Sequence, residues 1–214
     1  MIKMLLEWFL PQQCLLCDRV GIENPVCEAC LHAIKPQPKI LTLSPVLSVE
    51  SCFEYHHGLQ KLLHLYKFEK HTQLAPLFVQ KLKETVDFSA QKYDLCIPVP
   101  AHENRIHSRG FYPVELLFKG FFLDVYSPCV QRCKDTPYLF ELSALERSRL
   151  LKGAFRLHAG TSVQGKSIVV VDDIVTTGAT LASMSELLYC EGARKVSALT
   201  LAYTQLKHMV ENHP

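Results

Sequence analysis

Apolar positions along this chain of 214 residues follow two rhythms. Through the first half the spacing is helical: Leu59, Leu62, Leu63 and Tyr66 mark one helix, and Leu74, Leu77, Phe78 and Leu82 mark a second that ends near Phe88. An extended stretch from Val46 to Tyr55 precedes them. From about residue 90 onward, short apolar runs alternate with helical segments. Leu95 to Pro100 is a strand closing on prolines, Val114, Leu117, Phe118 and Phe121 space a helix, and Pro128 to Cys133 is a further strand. Ile168 to Val171 is a continuous, β-branched run, the composition of a strand buried on both faces in a parallel sheet. A helix spaced by Leu181, Met184, Leu187 and Leu188 follows, with Gly192 as its C-cap, and Val196 to Ala202 is the last strand. This alternation predicts an α/β fold: an open, mostly parallel sheet with helices on both faces and ligand loops at one end.

The N-terminal part has a different character. Cys14-Leu-Leu-Cys17 and Cys27-Glu-Ala-Cys30 are two Cys-x-x-Cys knuckles separated by nine residues. Each knuckle directs two thiolates at one point, and a tetrahedral zinc site needs four. The segment between them, Asp18 to Pro25, is polar and turn-rich. Four thiolates leave no open position, so the zinc is expected to be structural, and a module this small to unfold without it. His32 reads as a surface residue. Lys35 to Pro45 carries Pro36, Pro38 and Pro45 and reads as a linker. Two domains are expected: a zinc-binding module and linker over 1–45, and the α/β domain over 46–214.

Composition narrows the rest. Hydrophobic residues make up 48%, enough for a full core. The net charge of +2 neither demands nor excludes nucleic acid, so any basic surface must be local. Nine cysteines, without an evident export signal, point to reduced thiols and metal rather than a disulfide framework. Cys129 and Cys133 read as free thiols, since no second regularly spaced pair remains. Met1 to Leu10 is apolar but carries Lys3 and Glu7 and is too short to span a bilayer. It reads as a short amphipathic helix packed on its own protein, with a peripheral membrane contact through Leu5, Leu6, Trp8 and Phe9 as the alternative. The tail from Gln205 should fray.

The candidate chemistry concentrates after the buried run. Asp172 and Asp173 follow it, then Thr176, Thr177, Gly178, Ala179 and Thr180 at the start of a helix. Backbone N–H groups and hydroxyls at a helix N-terminus favour an anion, and Gly178 permits close backbone approach. Two carboxylates can accept hydrogen bonds from a sugar diol. No Gly-Lys-Ser/Thr follows the glycine, so this is not a Walker A loop. Behind the Leu95 strand lie His102, Arg105, His107, Arg109 and Gly110, read as a basic loop. Arginine there can grip pyrophosphate bidentately, or the loop can simply face solvent.

Val169-Val-Val-Asp-Asp-Ile-Val-Thr-Thr-Gly-Ala-Thr180 resembles the phosphoribosyl pyrophosphate (PRPP) signature of type I phosphoribosyltransferases. With the knuckles, Leu65-Tyr-Lys67, Pro98-Val-Pro100, Arg109-Gly-Phe111, Arg147 and Gly153-Ala-Phe155 in this order, nearly the whole chain resembles the ComF family. The resemblance implies a type I phosphoribosyltransferase-like domain behind a four-cysteine zinc module. It also implies that Asp172 and Asp173 bind the ribose hydroxyls and residues 176 to 180 wrap the 5-phosphate. Arg105, Arg109 and Lys67 would take pyrophosphate, with magnesium accompanying the ligand. Family members are cytoplasmic proteins of natural transformation, so single-stranded DNA and other competence proteins are implied partners. Candidate DNA contacts are Arg105 and Arg109 with Phe111 and Tyr112, and Lys61 and Lys67 with Tyr66 and Phe68. The chain departs from the family at Tyr112-Pro113, where Asn-Gln is usual, at Leu150, and at Thr136-Pro-Tyr-Leu139. These segments flank the site of a second substrate, so the ribose-phosphate half keeps its motif and the acceptor half does not. Lys134 to Arg149 matches a loop that covers the site in transferases, and reads equally as a basic DNA surface or a solvated helix. The alternative function is an active phosphoribosyltransferase.

Overall fold

The computed structural model describes residues 13–87, 93–134, 151 and 153–204. Expectations for Met1 to Leu10, Phe88, Thr136 to Leu139, Arg147, Arg149, Leu150, Lys152 and the tail lie outside these residues. A five-stranded sheet forms the centre, in the order β1 (Lys39–Ser44), β2 (Leu47–Glu54), β7 (Lys195–Tyr203), β6 (Ser167–Val175) and β3 (Leu95–Pro98). All neighbours are parallel except β1, which pairs antiparallel with β2 at the edge. A separate two-stranded ribbon joins β4 (Val130–Arg132) to β5 (Phe155–Leu157).

The pleat of β6 and β7 divides the core in two. Val169 and Val171, with Leu199 and Leu201, face one layer, while Ile168 and Val170, with Val196 and Ala198, face the other. The first layer holds α2 (His57–Phe68), α3 (Ala75–Thr85) and α5 (Pro113–Phe118), through Leu59, Leu62, Tyr66, Phe78, Leu82 and Leu117. The second holds α6 (Ala179–Cys190), through Leu181, Met184 and Leu188, together with the β4–β5 ribbon. Helices therefore cover both faces of a mostly parallel sheet, as the alternating pattern predicts. Among the described residues, no helix is long and apolar enough to cross a membrane.

Three local expectations are corrected. The stretch read as a linker contains β1, in which Leu41 and Leu43 share a face across Thr42 and Leu41 buries opposite Val49, while Ile40 stays exposed. Its prolines stand before the strand and in the turn, where they remove no ladder bond. The basic segment read as a loop is the helix α4 (Glu103–Arg109). The His102 ring caps it by accepting from the Asn104 N–H, and Gly110 ends it at φ +79°. Third, the acidic pair does not end its strand: β6 continues through it to Val175.

The knuckles and the short α1 (Glu28–Ala33) do not stand apart from this body. Cys14, Val26 and Cys27 are buried in the same core layer as Leu59 and Leu62 of α2. A Cβ on Gly58 would lie 3.2 Å from Leu16 Cδ1 of the first knuckle, so the module seats closely on the start of α2 at this glycine.

Candidate functional site

The site begins where two neighbouring strands part. β3 makes its last contact with β6 through the Val99 N–H and the Val171 carbonyl, 2.9 Å apart. The last four residues of β6 run on beside β7 alone. Asp172 and Asp173 fall at this divergence, the place where open parallel sheets bind ligands. Alternation sends the two carboxylates different ways. Asp173 shares a face with Val169 and Val171, and there meets Lys67 of α2 at 2.7 Å, both side chains nearly buried. Asp172 shares the face of Ile168 and Val170. Its Oδ1 accepts the Asp173 N–H at 2.9 Å.

Burial and the adjacent Asp173 charge push the Asp172 carboxyl up to about 8, against the opposing pull of Lys67, its hydrogen bond and Arg132. The cations that act on Asp172 thus come from α2 and β4. Arg132 of β4 lies over the Phe155 ring, 5.6 Å from its centroid, and acts on Asp172 through its charge alone. Lys67 was read as a pyrophosphate ligand, and the structure places it on Asp173.

Downstream of the pair, Gly178 adopts φ +75° as the N-cap of α6, a helix of 12 residues. Thr176 is exposed and Thr177 half-buried, and the Thr177 hydroxyl accepts the Ala179 N–H at 3.5 Å. Ala179 and Thr180 open the helix, so its unpaired N–H groups and positive end lie in this turn. A Cβ on Gly178 would sit 2.3 Å from Leu43 Cδ1, so the β1 hairpin packs directly on the turn. No sequence signal foretold that contact.

Arg105 is half-buried near the start of α4. Arg109, in its last turn, lies over the Phe68 ring, 5.2 Å from the centroid. Phe111 and Tyr66 pack on each other at 5.3 Å, and the fully buried Tyr66 donates its hydroxyl to the Pro113 carbonyl at 2.9 Å. Tyr112 donates its hydroxyl to the Val99 carbonyl. Burial first, then the charges of Tyr126 and the acidic pair, hold its phenol far above its ordinary value. Tyr66 thus ties α2 to the start of α5 and Tyr112 ties the segment before α5 to the end of β3, and neither is presented as an open face for a base.

At the opposite end of α2, the Sγ atoms of Cys14, Cys17, Cys27 and Cys30 lie within 4.8 Å of one another. Zinc–sulfur bonds of about 2.3 Å in a tetrahedron put sulfurs about 3.8 Å apart, and Cys17 and Cys27 are already at 3.7 Å. The N–H groups of Leu16 and Cys27 point at Cys14 Sγ, at 3.5 and 3.4 Å. Burial opposes ionisation of Cys14, yet these donors and Cys17 outweigh it and bring the thiol to about 6, towards the thiolate that a metal binds. The donor set fits zinc, and four thiolates complete its coordination.

Comparison with known proteins agrees with this arrangement. Residues 129–213 match the phosphoribosyl transferase domain family. The DNA utilization protein YhgH of Escherichia coli K12 is 31% identical over 202 residues, covering 88% of this chain and 84% of that protein. The competence protein ComFC of Bacillus subtilis is 26% identical over 191 residues, covering 88% of this chain and 76% of the relative. Among solved structures, adenine phosphoribosyltransferase from Thermoanaerobacter pseudethanolicus aligns with a TM-score of 0.41 at 13% identity, over 81% of this chain and 97% of that one. With its four-cysteine cluster, its phosphoribosyl transferase match, and relatives aligned along most of both lengths, the chain belongs to the ComF family.

Proposed function

We propose that this chain is a cytoplasmic competence protein that binds PRPP, or a related phosphosugar, and handles single-stranded DNA during uptake. The observation that carries the phosphosugar reading is the juxtaposition at the end of β6. Two carboxylates, one tethered to Lys67, stand just before a hydroxyl-rich turn at a helix N-terminus. In this reading Asp172 and Asp173 accept hydrogen bonds from the sugar hydroxyls. Thr176, Thr177, Gly178, Ala179 and Thr180 enclose the 5-phosphate with N–H groups and hydroxyls. Arg105 and Arg109 approach the diphosphate from α4, and Lys67 reaches it by exchanging Asp173 for the ligand. Magnesium enters with the diphosphate and neutralises it. Zinc in the knuckles is structural. The names of the relatives, DNA utilization protein and competence protein, support the DNA half of the reading.

The second reading is an active phosphoribosyltransferase. An acceptor nitrogen would displace pyrophosphate at the sugar C1 and lose its proton to solvent or a nearby carboxylate. The tie from Tyr112 to Val99 weighs against it, because this departure from the family pattern serves the scaffold. Pyrophosphate release from PRPP across a panel of bases and amines separates the two. Release with any acceptor favours the transferase, and silence across the panel favours binding without turnover. For the DNA half, affinity for single strands should fall steeply as salt rises. Salt-independent affinity, or no binding at low salt, contradicts it.

A further inference from the structure

We infer that α2 presents a stacking platform for an unpaired nucleobase, formed by Phe68 between His64 and Arg109 at the rim of the phosphosugar site. The inference rests on the nucleic-acid half of the function proposed above and assigns it a surface. His57, Lys61, His64 and Phe68 recur along one side of α2 at helical spacing, and all four are exposed. The opposite side, with Leu59, Leu62, Leu63 and Tyr66, is buried. Phe68 is therefore a large aromatic ring at the end of a polar, cationic stripe, and it is 47% exposed.

A single exposed ring is ordinary. This one is held by flat groups from two helices. The Arg109 guanidinium comes from α4 to lie 5.2 Å from the ring centroid. The His64 ring lies 5.0 Å away at 36°. The position next to it, Lys67, runs inward to Asp173 at 2.7 Å, so platform and acidic pair are served by adjacent residues of one helix. Exposed Lys61 and Lys70 supply cations for a backbone on either side. One charge opposes a strand: Glu69, which sits 3.7 Å from His64 and 4.0 Å from His71. Aromatic rings beside cations suit single strands, because every base has a π-face and every linkage a phosphate. Of the aromatics considered as DNA contacts, Tyr66 is fully buried, Phe111 is half-buried against it and Tyr112 is tied to Val99, while Phe68 is the exposed ring.

The test compares wild type, Phe68→Ala and Phe68→Trp by fluorescence anisotropy, with labelled oligo-dT and an abasic phosphodiester oligomer of equal length. Stabilisation by PRPP and magnesium checks that each variant is folded with an intact phosphosugar site. The expected result is an affinity for oligo-dT lowered about tenfold by Phe68→Ala and retained by Phe68→Trp, with the salt dependence unchanged. The abasic oligomer should bind weakly and equally to all three, and Glu69→Gln should tighten both oligomers. If Phe68→Ala binds oligo-dT as wild type does, or the abasic strand binds as tightly as oligo-dT, the platform is overturned while the nucleic-acid reading stands. If wild type binds neither strand at low salt, that reading falls and the platform with it.

Discussion

Asp172 and Asp173 are adjacent carboxyl groups on opposite faces of β6. The carboxyl of Asp172 lies well above its unfolded value, pushed to about 8 by burial and by Asp173. Between about pH 4 and pH 8 the folded chain holds a proton that the unfolded chain has lost, so this group's contribution to stability declines as pH rises through that window. Asp172→Asn should therefore raise the melting temperature relative to wild type at pH 9, with the difference vanishing by about pH 4. A difference independent of pH would contradict this assignment. Lys67 is the counterpart. Replacing it by Met leaves Asp173 nearly buried without its 2.7 Å partner and should cost about 3 kcal/mol in urea unfolding near neutral pH. The acidic pair was legible in the sequence because its two carboxylates are consecutive and precede a hydroxyl-rich turn. The partner was not, since 105 residues lie between Lys67 and Asp173 and only the packing of α2 on β6 joins them.

At the scale of elements, the turn into α6 depends on a residue from the far edge of the sheet. Gly178 is required by its φ of +75° and by Leu43, which leaves no room for a Cβ. Gly178→Ala should destabilise by at least about 1–2 kcal/mol from the backbone alone, with a steric part in addition. Leu43→Ala in the same chain should recover only the steric part, so a double-mutant cycle reads a favourable coupling. Strict additivity would mean that the hairpin does not bear on the turn. Long helices and buried strands were legible because their spacing repeats several times. β1 was not, because three prolines in eleven residues read as punctuation while Leu41 and Leu43 give only a short alternation. The short α4 was hidden in the same way, since its polar residues leave no apolar period to detect.

At the scale of the molecule, the knuckles share one core layer with α2, α3 and α5. A metal site of this kind should stabilise more than its own loop. Stripping a bound metal with a chelator, or replacing Cys27 by Ser, should lower the whole chain's unfolding temperature in one calorimetric transition. Two transitions, with the upper one unmoved, would show an independent module. Whether the end of β6 is a working phosphosugar site is decided by one titration. Thermal unfolding of wild type and of Asp172→Asn/Asp173→Asn is followed against PRPP with magnesium. Ligand at 100 times its Kd should stabilise wild type by about 2.7 kcal/mol and leave the double variant unmoved. Equal stabilisation of both proteins, or of neither, would contradict the account.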